Sequence, residues 1–392
     1  MTKVKSKAPP KLSSGVYFDN AATSYPKPPS VCDAINYTLQ HVGANPGRGE
    51  NALTRSANKI IFEARETIAE FFNIPNSRNI VFTSNGTEAL NLALKGFLKP
   101  GDHVITSGME HNSVIRPLNS LKNNGVNVTI VQCDKQGKLN PDDVFKEIKE
   151  NTRLIVITHA SNVTGTILPV EEIGEIAKKK GIPLLVDAAQ TAGTIPIDIV
   201  RNNISLLACP GHKSLLGPQG TGFLYISEEL NLKPLIEGGT GSNSELCEQP
   251  DFLPDRFQSG TLNSPGIAGL KAGIEFINKK SVQTIKEHED KLSKAFINKL
   301  KEINPVCIYG PLSTKEKTSV VSFNINGKDS AEIATALDEK YQIMVRVGLH
   351  CSPYAHKTIG TFPDGTIRAS FSIFNTIEEV NYFIDSLKEI VN

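Results

Sequence analysis

Lys213 sits in Cys209-Pro210-Gly211-His212-Lys213-Ser214, a stretch bounded by Gly211 and Gly217. Upstream, the apolar run Leu184-Leu185-Val186 ends on Asp187. A lysine amine condenses with an aldehyde to form a Schiff base, and a carboxylate keeps a pyridine nitrogen protonated. Together they meet the two central needs of a pyridoxal phosphate site. The protonated ring is a strong electron sink, so the acid sets the power of the cofactor.

A third segment suits the phosphate. Ser84-Asn85-Gly86-Thr87-Glu88 joins a β-branched run to a helical pattern. Gly86 allows a tight turn, and Thr87 offers an amide and a hydroxyl at a helix N-terminus, where free N–H groups and the helix dipole favour an anion. Alone, this turn reads as an ordinary helix cap. Asp187 alone could likewise cap the next helix, and Lys213 alone could be a loop lysine. Three strand ends carrying phosphate, acid and lysine functions in this order point instead to one crevice, because ligands of open α/β sheets bind at the carboxyl ends of the strands.

The elements that must hold these groups alternate. Ile80 to Thr83, His103 to Thr106, Val126 to Val131, Leu154 to Thr158, Leu184 to Val186 and Ser205 to Ala208 read as strands, and Phe223 to Ile226 adds another. Helical patterns such as Thr87 to Leu98 and Glu171 to Lys180 separate them. Such alternation predicts an α/β domain of parallel βαβ units covered on both faces. After Pro265 the texture changes. Helices over Ile267 to Ile277, Val282 to Ile303, Ser330 to Tyr341 and Ile377 to Val391 flank strands at Ser319 to Ile325, Met344 to Val347 and Thr366 to Ser372. The expected organisation is a tail over residues 1–15, a large domain over 16–265 and a small α+β domain over 266–392, with the first residues of the large domain packing on the small one.

The 392 residues suffice for a sizeable core, and a formal charge of +1 without tryptophan gives no reason to expect nucleic acid or an acidic membrane as partner. The six cysteines, at 32, 133, 209, 247, 307 and 351, lie too far apart for a zinc knuckle or redox pair. They read as reduced thiols of a cytoplasmic protein. Met1 to Ser14, lysine-rich with a Pro-Pro pair, lacks the apolar stretch of a signal peptide and reads as a mobile tail. No metal site is expected.

From Val16 to the end the chain resembles the class V aminotransferase family of fold-type I pyridoxal phosphate enzymes, and within it the group II (Suf-type) cysteine desulfurases. The resemblance rests on Tyr17-Phe18-Asp19-Asn20-Ala21-Ala22, Asn85-Gly86-Thr87-Glu88-Ala89, Glu110-His111-Asn112-Ser113 and Ser161-Asn162-Val163-Thr164-Gly165. It continues in Val186-Asp187-Ala188-Ala189-Gln190, Gly211-His212-Lys213, Ser259-Gly260-Thr261, Arg346-Val347-Gly348-Leu349-His350-Cys351 and Arg368-Ala369-Ser370. It implies that Lys213 carries the cofactor, Asp187 pairs with the pyridine nitrogen, and His111 stacks on the ring. Asn162 and Gln190 would hydrogen-bond the ring hydroxyl, and Gly86, Thr87 and His212 would hold the phosphate. Thr261 would serve the neighbouring subunit of a homodimer. Arg368 would bind the substrate carboxylate, with Arg346 as a second cation and Asn20 and Ala22 near the substrate. Two departures stand out: Pro210 replaces a frequent phosphate-touching serine, and Gly47 and Asn51 stand where Suf-type enzymes carry histidines near Arg48.

The same resemblance makes Cys351 the persulfide-bearing thiol. It follows a strand in a turn-like segment, with Arg346, His350 and His356 nearby in sequence, and nearby positive charge favours a thiolate. The implied activity is removal of sulfur from L-cysteine to give L-alanine and a persulfide on Cys351, passed on to a protein acceptor. A selenocysteine lyase, another C–S lyase, an epimerase or an aminotransferase would share the cofactor half; Cys351 separates a desulfurase from a plain transaminase. A sulfur-transfer scaffold without turnover would have no use for the intact lysine, aspartate and phosphate turn.

Overall fold

The computed structural model describes residues 15–47, 49 and 51–391. Apart from Gly15, the expected N-terminal tail lies outside those residues, as does Arg48.

The strands are β1 (Val16–Tyr17), β2 (Ile80–Thr83), β3 (His103–Ser107), β4 (Asn127–Val131), β5 (Thr152–Thr158), β6 (Leu184–Asp187) and β7 (Leu206–Pro210). They continue as β8 (Gly222–Ile226), β9 (Val306–Tyr309), β10 (Val320–Ile325), β11 (Ile343–Met344), β12 (Arg346–Gly348) and β13 (Thr366–Ser370). The helices are α1 (Pro29–Tyr37), α2 (Ala52–Phe72), α3 (Gly86–Phe97), α4 (Asn112–Asn123), α5 (Pro141–Lys146) and α6 (Val170–Lys180). After them come α7 (Ser264–Lys280), α8 (Val282–Leu300), α9 (Ser330–Tyr341), α10 (Pro353–Ile359) and α11 (Ile377–Val391).

Seven strands form the central sheet in the order β2-β8-β7-β6-β5-β3-β4. The pairs from β7 through β4 are parallel, whereas β8 runs antiparallel to both β7 and β2. The sheet is therefore mainly parallel, as expected, with one reversed strand that a short connection makes possible. Strands β2, β6, β7 and β8 are buried along their whole length, so near-continuous apolar runs specify them better than alternation does. Helices cover both faces, and the core divides into a cluster on each side of the sheet.

A four-stranded antiparallel sheet, β12-β13-β10-β9, carries a further core with α8, α9 and α11. Val16 and Phe18 belong to this core, and β1 pairs in parallel with β11. The expected division at residue 265 meets a difference at α7. Ile267, Leu270, Ile274 and Ile277 bury themselves in the large core, and α7 packs against α1 and α2. The chain changes cores within α8, where Ile285 faces the large core and Leu292, Phe296 and Ile297 the small one.

Candidate active site

Asp187 is the last residue of β6, and Lys213 follows β7, the strand beside it. Both side chains reach one cleft of about 500 Å³ at the carboxyl ends of the parallel strands. Gly86, Thr87, His111, Asn162, Gln190 and His212 line the same cleft. Of the residues expected to hold the cofactor, only Thr261 lies elsewhere. It is exposed, in a groove with Ser84 and Glu88 outside the cleft of its own chain.

Local chemistry explains how each wall forms. Asn85 caps α3, its Oδ1 accepting from Glu88 N–H at 2.9 Å, while Glu88 Oε2 accepts from Ser84 N–H at 2.7 Å. The first amides of α3, on Gly86 and Thr87, have no acceptor within the helix and face outward, as helix N-termini do. Pro210 packs against Gly86; a Cβ there would meet Pro210 Cδ at 3.1 Å. Pro210 thus fills the space beside the helix end without offering a donor of its own. Gly211 is forced by an approach in which a Cβ would come within 2.2 Å of Thr221 Oγ1.

The electrostatics follow from burial. Asp187 is buried and its Oδ1 accepts from Ala189 N–H at 2.9 Å; burial raises its pKa, while Ala189 and the Lys213 cation act the other way. Lys213 is pushed down to about 8 by burial, against the pull of Asp187. His111 is pushed down to about 3, by burial first and then by Lys213 and Arg346. Ser113 N–H donates to its Nδ1 at 3.0 Å, so the neutral ring carries its proton on Nε2. Ser113 Oγ lies 2.7 Å from Thr87 Oγ1 and ties the two helix ends together. Beneath His111, Glu110 is wholly buried, accepts from Ser107 Oγ at 2.6 Å and Thr158 N–H at 2.9 Å, and is raised to about 8 by burial.

Cys351 is exposed and lines an outer chamber of about 770 Å³, together with Lys95 and Arg116. Thr87, His111 and Ser113 line both chambers, so the thiol and the inner cleft share one wall. The thiol's loop is held from several sides. Asn162 Nδ2 donates to His350 O at 2.7 Å, Ser352 Oγ donates to Asn162 Oδ1 at 2.6 Å, and Asn112 N–H donates to Cys351 O at 2.8 Å. His350 and Cys351 both take positive φ, 47° and 59°, a conformation that non-glycine residues rarely adopt without such support.

Three expectations change here. His350 and His356 do not supply positive charge to Cys351: both are buried, and burial pushes them down to about 2 and about 4. Asn20 is committed to holding the chain rather than to a ligand. Its Nδ2 donates to Ser370 O at 3.0 Å and Asn375 Oδ1 at 3.1 Å, and its Oδ1 accepts from Tyr25 N–H at 3.1 Å. Ala22, beside it, closes the turn by donating its N–H to Asp19 O at 3.1 Å. Gln190 Nε2 donates to Ala21 O at 3.0 Å, which binds this segment to the cleft wall.

Arg368, on β13 beside Arg346 of β12, is fully buried. Its Nη1 donates to Asn162 O at 3.0 Å and its Nη2 to Asp19 Oδ1 at 2.5 Å, while Nε has no partner among the described residues. Asp19 is a functional neighbour that the sequence reading did not single out, although it sits inside a quoted motif. The two are 349 positions apart in the chain, so only the fold brings them together.

The residues present suit pyridoxal phosphate. The cleft has a carboxylate at one wall, an amine of lowered pKa, and the free amides of α3 at another. His212 Nδ1 is buried there with no partner among the described residues, and a group so placed calls for a ligand atom.

A mainly parallel sheet with aspartate and lysine at the ends of adjacent strands, joined to a small α+β domain, defines the fold-type I pyridoxal phosphate enzymes. The sequence pattern of the family described as Aminotransferase class-V matches residues 16–383, and the chain belongs to that family. Among similar proteins is a probable cysteine desulfurase of Methanothermobacter thermautotrophicus, 38% identical, with 97% of this chain and 96% of the relative covered. Another is a probable cysteine desulfurase of Pyrococcus abyssi, 38% identical over 96% of this chain and 94% of the relative. The apo structure of a cysteine desulfurase from Thermococcus onnurineus superposes with a TM-score of 0.90 at 36% identity, covering 96% of this chain and 94% of that one.

Proposed function

We propose that this protein is a pyridoxal phosphate-dependent cysteine desulfurase that moves the sulfur of L-cysteine onto Cys351 and releases L-alanine. The observation that carries the reading is the shared wall of Thr87, His111 and Ser113, which sets an exposed thiol beside the cleft of Lys213 and Asp187. A transaminase has no use for a thiol there.

In this reading the amides of α3, Thr87 and His212 hold the phosphate, Asp187 holds the ring nitrogen, and Lys213 carries the cofactor. Gln190 and the free N–H of Asn162 face the ring. When bound, pyridoxal phosphate supplies an electron sink for the pair left at the substrate Cα. Arg368 grips the substrate carboxylate, sharing its fork with Asp19, and Arg346 adds charge. Lys213, held near neutrality, takes the Cα proton. His111 presents Nε2–H and donates to the substrate sulfur rather than accepting its proton. Cys351 thiolate attacks Sγ; the new S–S bond forms as Cβ–Sγ breaks, the electron pair stays with Cβ, which takes a proton, and Lys213 returns its proton to Cα to give alanine. Cys351 keeps the sulfur as a persulfide until a protein acceptor takes it. Two copies form a homodimer in which Thr261 of each reaches the phosphate site of the other; its exposure outside its own cleft supports this. No helix among the described residues is long and apolar enough to cross a membrane.

The test is to supply cysteine, selenocysteine and alternative amino acids to the holoenzyme and to its Cys351→Ala variant, measuring alanine, sulfide and keto acid. Alanine from cysteine, lost in the variant, is the expected result. Equal alanine from both proteins would remove Cys351 from the reaction.

A further inference from the structure

The segment from Thr23 to Lys27 lies against the Lys213 turn from the outside of the cleft. Four donor atoms converge on one peptide oxygen, His212 O: Ser24 N–H at 3.1 Å, Thr23 Oγ1 at 3.1 Å, Ser24 Oγ at 3.2 Å and Lys27 Nζ at 2.8 Å. The next carbonyl, Lys213 O, accepts from Ser24 Oγ at 2.8 Å, and Lys27 Nζ donates to that same Ser24 Oγ at 2.7 Å. Lys27 thereby supports both carbonyls that flank the Lys213 backbone, one directly and one through Ser24. Its ammonium has no carboxylate partner among the described residues. A half-buried cation spent on two neutral acceptors is costly, and burial pushes its pKa down to about 8.

A lysine that both carries a cofactor and moves a proton needs a backbone that stays still while its side chain swings. Among the described residues, the other bonds that this turn's carbonyls accept close it locally: Leu216 N–H donates to Lys213 O at 2.8 Å and Gly217 N–H to Gly211 O at 2.8 Å. Beside the bond that Gly211 N–H donates to Thr221 O at 2.8 Å, the bonds from Thr23, Ser24 and Lys27 anchor the turn to the rest of the chain. The N-terminal segment that makes them also carries Asp19, the partner of Arg368, so it spans from the carboxylate-binding side of the cleft to the lysine.

We propose that Lys27 is a positioning residue: its ammonium fixes the His212–Lys213 backbone and so sets where the Lys213 amine meets the substrate Cα proton. This rests on Lys213 being the proton-transferring amine. In the holoenzyme, Lys27→Met lowers kcat for alanine release about tenfold, the loss of one charge-assisted hydrogen bond, with KM for cysteine within about twofold. Lys27→Arg, which keeps a cationic donor, recovers most of the rate.

A second readout needs neither cofactor nor turnover. In the apo protein, pH-dependent acetylation of Lys213, followed by peptide mass spectrometry, reports its amine directly. With Lys27→Met the bend in that profile moves upward by about half a pH unit or more as the loosened turn exposes the amine to water; with Lys27→Arg it stays in place. Circular dichroism confirms that both variants fold. If Lys27→Met alters neither kcat nor the Lys213 profile, or if Met and Arg impair both equally, the proposal is overturned. Failure of the desulfurase reading itself shows separately, as absence of alanine from the wild-type protein while the acetylation profiles still respond.

Discussion

Lys213 has to be an uncharged amine to capture an aldehyde, and its surroundings make it one near neutral pH. Burial drives its pKa down to about 8, Asp187 opposes the shift, and Arg368 and Arg346 add to it. At pH 7 about one amine in ten is then neutral, against roughly one in 2,500 for an ordinary lysine with a pKa near 10.4. The gain in reactive form is about two-hundredfold. Stopped-flow absorbance of the apo protein mixed with pyridoxal phosphate measures it. The capture rate should rise about tenfold per pH unit below pH 8 and flatten above it. In Asp187→Asn the carboxylate no longer pulls the value up, so the bend moves to lower pH. A rate that keeps climbing through pH 10 in the wild type, or a bend that moves upward in Asp187→Asn, would refute the reasoning.

Two further outcomes follow from side chains outside the chemistry. Lys317 is wholly buried, its Nζ has no partner among the described residues, and burial pushes it down to about 7. The folded value lies below the unfolded one, so the unfolded chain binds more protons between about pH 7 and pH 10.4, and stability rises with pH across that window. Lys317→Met should melt roughly 5 °C higher than wild type at pH 7, with the excess shrinking toward pH 10; an excess of equal size at both would contradict the assignment. Ser352→Ala removes the 2.6 Å bond to Asn162 Oδ1 and slackens the strained Cys351 loop. Single-turnover persulfide formation should slow about tenfold while cofactor binding is unchanged, and an unaltered rate would mean that the loop holds itself.

The sheet was legible where local signals were strong. Leu184 to Val186 could be read as a buried strand because an apolar run bounded by turns leaves few alternatives, and Ser330 to Tyr341 and Ile377 to Val391 agree with α9 and α11 residue for residue. Strand β9 escaped: four half-buried residues between Pro305 and Gly310 give little pattern. Helix α2 was passed over although Ala57, Ile61, Ala64, Ile68 and Phe72 keep helical spacing, a signal present in the sequence. The stretch Met344 to Val347 reads as one strand, yet it divides between β11 and β12, which pair in different sheets. No local pattern encodes that division.

At the site, the types of residue were readable and their states were not. Lys213, Asp187 and Thr87 announce themselves because strand ends converge in any α/β sheet. The neutrality of His350 and His356 depends on how deeply the fold buries them, and sequence proximity to Cys351 suggested the opposite. Asp19 on Arg368, and Lys27 on the carbonyl of His212, join positions far apart in the chain, so only the packed structure exposes them.

The most direct measurement is the mass of the Cys351 peptide after the holoenzyme has met L-cysteine, without reductant. The account predicts one added sulfur on Cys351, formed together with alanine and absent in Lys213→Ala. Alanine released while the Cys351 peptide keeps its original mass, or sulfur found on another cysteine, would contradict it.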